Sequence, residues 1–81
     1  MLKYLKTKKE LGERIKTIRT YLGYSQKSIA KELKIDRATY INYEMGKTEP
    51  KIMTLIQLAE IFDLNLLYFV SEKRPSEDEF F

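Results

Sequence analysis

The chain contains no cysteine and no histidine. Without thiols there are no disulfides and no thiolate metal sites, and without imidazole the commonest metal ligand and the commonest general base are missing. Tryptophan is absent, and proline and glycine number only 2 and 3. The longest unbroken apolar run, LLYFV at 66–70, is far too short to span a bilayer. The opening MLKYLKTKKE carries lysines but no continuous apolar stretch, so it does not read as a signal peptide. No membrane association, metal, cofactor or small-molecule ligand is expected. Nor is an enzyme, since no glycine-rich phosphate loop or carboxylate pair replaces the missing bases and nucleophiles. The expected location is the cytoplasm.

What is present is a small chain of 81 residues, enough for one core. Residues 1–70 hold 13 of the 15 basic and 8 of the 12 acidic residues, a net of +5, whereas the final SEKRPSEDEFF carries −2. A basic body fits a nucleic acid or another anionic surface. A lysine-rich solvated surface accounts for the same charge equally well. The acidic segment has Pro75 and little to bury, so it is expected to be mobile. The division read from composition is therefore a domain over 1–70 and an acidic tail over 71–81.

No stretch alternates with period two, and all three glycines and both prolines are read as helix ends or beginnings. Leu11, Ile15, Ile18 and Leu22 form one apolar stripe of a helix from Lys8 to Leu22, with Gly23 as a left-handed cap. Residues 1–7 either extend that helix or lie over it. Ser25 caps a short second helix with Ile29, Ala30 and Leu33 inward. The turn Leu33–Asp36 follows, and Asp36 opens a third helix from Arg37 to about Met45, closed by Gly46. A fourth helix begins after Pro50 and runs to about Phe62, with Ile52, Leu55, Ile56, Ala59 and Phe62 on one face. Asn65 caps a short fifth helix to about Val70. The fold class is all-α, five compact helices.

The second and third helices, joined by a tight turn, form a helix-turn-helix over about 25–46. Ala30 is small where the helices cross, Ile35 is an apolar peg in the turn, and Tyr40 and Tyr43 face inward. Arg37, Ala38, Ile41 and Asn42 are left facing out. The segment LGYSQKSIAKELKIDRATYINYEMGKTEP resembles the helix-turn-helix family of phage repressors and Cro proteins, the XRE family. The resemblance runs from about Leu11 to Phe69. It is carried by Arg19, Gly23, Ser25 with Gln26, Ile29 with Ala30, Ile35, Tyr43 with Glu44, Gly46 with Lys47, Pro50, and Leu58 with Ala59.

That resemblance implies a dimeric, sequence-specific transcriptional regulator of double-stranded DNA, a repressor at a palindromic operator, with the third helix in the major groove. By position, Arg37, Ala38 and Asn42 match base-facing sites, with Ile41 beside them. Gln26 and Lys47 match phosphate sites, and Thr39 is a further phosphate candidate. Arg19 and Glu44 match positions that pair with each other as a structural ion pair. The chain departs from the family pattern at Lys34 and Asp63, where glycine is usual, and at Met45, where a polar residue is usual. Met53, Ile61, Leu67 and Tyr68 are apolar where the family is polar or small, which suggests a homodimer interface through the last two helices. Lys3, Lys6, Lys8 and Lys9 read as a phosphate-tracking arm or as a solvated helix end. The alternative function is a protein-interaction module, such as an antitoxin or an antagonist of another regulator, motivated by the same apolar residues and the acidic tail.

Overall fold

The computed structural model describes residues 3–72. Five helices follow one another: α1 (Lys8–Leu22), α2 (Gln26–Leu33), α3 (Arg37–Glu44), α4 (Ile52–Ile61) and α5 (Leu66–Phe69). They close around Leu11, Ile15, Ile18, Ile29, Ala30, Leu33, Tyr40, Leu58, Ala59, Phe62 and Phe69. Among the described residues, no helix is long and apolar enough to cross a membrane.

The caps fix where the helices start. Thr7 and Glu10 form a reciprocal capping box at α1. The Ser25 hydroxyl accepts from the Ser28 N–H at 3.0 Å, and the Asn65 side chain accepts from the Leu67 N–H at 2.9 Å. Asp36 occupies the cap position of α3, but its side chain makes no cap hydrogen bond. The expectation that it caps α3 is thus met by backbone position alone. Lys34 and Asp63, the two positions where the resemblance leads one to expect glycine, both take left-handed backbone, φ 59° and φ 56°.

Three expectations are corrected. Gly12 is not at a helix end; it lies inside α1, where a Cβ would come within 2.3 Å of the Tyr43 carbonyl oxygen and 2.7 Å of that of Glu44. The missing side chain lets α1 and the end of α3 touch backbone to side. Leu22 is 38% exposed and does not join the core that Leu11, Ile15 and Ile18 enter. Ile52 is 61% exposed, because the apolar stripe of α4 meets the core only from Leu55 onward.

Residues before α1 do not extend it. Leu5 N–H donates to the Val70 carbonyl at 2.8 Å, and Glu72 N–H donates to the Lys3 carbonyl at 2.7 Å. Tyr4 and Ser71 form an antiparallel bridge, and Ser71 is fully buried. Backbone pairing with the start of the chain therefore continues through Glu72. From residue 73 on, the acidic tail lies outside the described residues. The buried guanidinium of Arg14 donates to the Phe69 carbonyl at 3.1 Å and ties α1 to α5.

Candidate nucleic-acid interface

The helix-turn-helix is built from α2 and α3, held apart by the left-handed Lys34 and pegged by half-buried Ile35. Tyr40 is fully buried and meets half-buried Tyr43 edge-on, with ring centroids 6.5 Å apart. With those aromatics inward, Arg37 and Ala38 are exposed and Ile41 and Asn42 half-buried at the outer side of α3. Thr39 is half-buried and Met45 exposed. Among the described residues, neither the Arg37 guanidinium nor the Asn42 amide is occupied by an internal hydrogen bond.

Behind α3 lies a polar network centred on one carboxylate. Glu44 accepts from Arg19 Nε at 2.6 Å and Arg19 Nη2 at 3.2 Å. It also accepts from Gln26 Nε2 at 3.1 Å and from the Tyr40 hydroxyl. Arg19 in turn donates to the Tyr24 carbonyl at 2.9 Å. Four donors on one carboxylate exhaust its acceptor sites, so it is fixed in orientation. Burial alone would push the Glu44 carboxyl up. The hydrogen bonds from Arg19, Tyr40 and Gln26 outweigh it and hold the group below the ordinary carboxylate value. The Arg19 guanidinium is raised, chiefly by its bond to Glu44. Burial, then the bond to Glu44, raises the Tyr40 hydroxyl.

Gln26 thus enters the site with one amide N–H spent on Glu44. Lys47 sits on the loop after α3, placed by close packing: Gly46 takes φ 72°, and a Cβ there would meet Lys9 Cα at 2.7 Å. Lys8 Nζ donates to the Lys47 carbonyl at 3.2 Å, leaving the Lys47 side chain exposed. The basic start of the chain is not a free arm over residues 3–5, since these pair with residues 70–72. On α4 and α5, Met53 is 66% and Leu67 56% exposed, while Tyr68 is half-buried and Ile61 is half-buried against the core.

Sequence reasoning missed Gly12, Arg14 and the Thr7–Glu10 box. The last was legible as T-x-x-E before an apolar stripe. Gly12 was legible as a glycine inside a strong helical pattern, which is a cost unless something packs against it. Nothing in the sequence marks Arg14 as buried, because its partner is a backbone carbonyl 55 residues away.

Comparisons with known proteins agree with this geometry. A family described as a helix-turn-helix domain matches residues 12–73. The prophage-derived regulator YonR of Bacillus subtilis is 46% identical over 54 residues, covering 67% of this chain and 50% of its own length. The transcriptional regulator ImmR of the same organism is 31% identical over 67 residues, 83% of this chain and 53% of its own. The chain spans about half the length of these two curated relatives. A transcriptional regulator from Listeria innocua superposes with TM-score 0.69 at 30% identity, over 74% of this chain and 56% of that one. The restriction-modification controller protein C.AhdI of Aeromonas hydrophila superposes with TM-score 0.71 at 24% identity, over 76% and 94%. The matched segment takes in all of α2 to α5 and most of α1, and the chain belongs to the XRE-type helix-turn-helix family.

Proposed function

We propose that the chain is a sequence-specific transcriptional regulator that binds double-stranded DNA, acting as a repressor and as a homodimer on a palindromic operator. The observation that carries this reading is the outer side of α3, where Arg37 and Asn42 keep unspent donors beside Ala38 and Ile41. An arginine fork matches guanine O6 and N7, an asparagine amide matches adenine N6 and N7, and small apolar groups pack on a thymine methyl. Gln26, Thr39 and Lys47 hold phosphates at the flanks, with Gln26 set in place by Glu44. The names of the relatives, which are transcriptional regulators, support the same reading.

Dimerisation uses the apolar end formed by Met53, Ile61, Leu67 and Tyr68, to which exposed Ile52 adds area. A two-fold pair sets recognition helices about 34 Å apart, one turn of DNA. The test is selection of random duplex DNA by the purified chain at fixed salt. A palindromic motif with half-sites about one turn apart is the expected result. Recovery of no motif, with only weak salt-sensitive binding, sinks it and favours a protein-interaction module, for which the exposed apolar turn of α4 is the specific observation.

A further inference from the structure

Beside α3 lies a cleft of about 310 Å³ lined by Lys9, Glu13, Lys16, Gln26, Ile41 and Met45, with Glu44 also on its wall. Lys9, Glu13 and Lys16 recur at four and three residues along α1, so they share one face of that helix. All three are exposed, and no ion pair joins Glu13 to either lysine. Glu44 is neutralised by Arg19. The cleft therefore holds two ammonium groups against one unneutralised carboxylate. Gln26 keeps one amide N–H that Glu44 does not take. The volume is well above the ~30 Å³ share of one water molecule, room for a hydrated anionic group.

The geometry points to this cleft as a seat for a backbone phosphodiester of the duplex, gripped by Lys9 and Lys16 from α1 and by the remaining amide N–H of Gln26. This inference rests on the reading that the chain binds duplex DNA. Two of the walls, half-buried Ile41 in the last turn of α3 and exposed Met45 at its cap, adjoin the outward-facing residues of that helix, so a duplex docked on α3 runs its backbone alongside the cleft. Helix α1 thus does more than support the helix-turn-helix; it grips the strand flanking the groove that α3 enters. Glu13, between the two lysines, repels the same phosphate and weakens the grip.

The test compares the full chain with the variants Lys9→Gln/Lys16→Gln and Glu13→Gln. The probes are a duplex carrying the selected motif and a scrambled duplex of equal length, with Kd read by fluorescence anisotropy between 50 and 200 mM KCl. All three residues are exposed and glutamine is a good helix former, so helicity by circular dichroism stays unchanged. The double lysine variant is expected to flatten the slope of log K against log salt by about 0.9 per protomer, about 2 for a dimer, equally on both duplexes. A slope change of that size shrinks the wild-type advantage about tenfold across the salt range. Glu13→Gln is expected to bind both duplexes roughly two- to fivefold more tightly. An unchanged slope in the lysine variant, or no tightening in Glu13→Gln, overturns the phosphate seat while leaving duplex binding intact. A wild-type chain that binds neither duplex overturns the underlying reading, and the seat with it.

Discussion

Two of the surface regions that expose apolar side chains differ in what surrounds them. Along α3 and at its C-terminal cap, half-buried Ile41 and exposed Met45 share the surface with Arg37 and Asn42, and Glu44 beside them is locked by four donors from three residues. On the first turn of α4, Ile52 and Met53 stand out without such company, and none of the buried polar side chains among the described residues belongs to that helix. The first surface has fixed polar directions; the second has area without direction. Directed donors suit a partner with an ordered pattern of acceptors, and undirected apolar area suits another apolar surface.

The comparison breaks most visibly at Glu44. Glu44→Ala leaves the Arg19 guanidinium and the Tyr40 hydroxyl without their acceptor and is expected to cost roughly 3–5 kcal/mol in chemical denaturation. The pH dependence has a definite sign. The folded carboxyl sits below its ordinary value of 4.5, so the unfolded state binds the proton more tightly. The stability Glu44 contributes is complete above about pH 4.5 and is lost as pH falls through the lower folded value. A wild-type stability that stays flat from pH 6 to pH 3 would show that the network is not the anchor described.

On the same helix, Asn42→Ala is expected to leave the fold intact and remove about 1–3 kcal/mol of discrimination at one base step, read by competition among single-base operator variants. An equal loss on every sequence would move Asn42 from the directed surface to a mere contact. On the apolar surface of α4 and α5, Met53→Ser with Leu67→Ser is expected to change folding stability by less than about 0.5 kcal/mol, since both side chains are exposed. The variant should nonetheless sediment as a monomer where the wild type sediments as a dimer; a wild-type monomer at tens of micromolar counts against the apolar end as an interface. A gain in stability is expected in the turn between α2 and α3. Lys34→Gly relieves left-handed strain, partly offset by a freer unfolded chain, and is expected to raise stability by about 0.5–1 kcal/mol.

Much of this arrangement was legible in the sequence where the cause is local. The stripe Leu11, Ile15, Ile18 gives α1, and Ser25 and Asn65 give the starts of α2 and α5 through their own side chains. The outward position of Arg37 follows once Tyr40 is assigned to the core. What failed was governed by where an element meets its neighbours. Ile52 has the spacing of a core residue, yet the core begins a turn later. Gly12 looks like a weak point in α1 until the α3 carbonyls are set against it. The bond from Gln26 to Glu44 joins residues 18 apart, and no periodicity within either helix announces it.

The pairing of Lys3 and Leu5 with Glu72 and Val70 brings the two edges of the described structure side by side. Topologically the domain is a loop with a shared doorway. The two edges therefore meet at one place, at the end of α5. Such a module can be spliced into a surface loop of a host protein without stretching the host. Under a pull on those two edges, the hydrogen bonds that join them are loaded one at a time, as in a zipper.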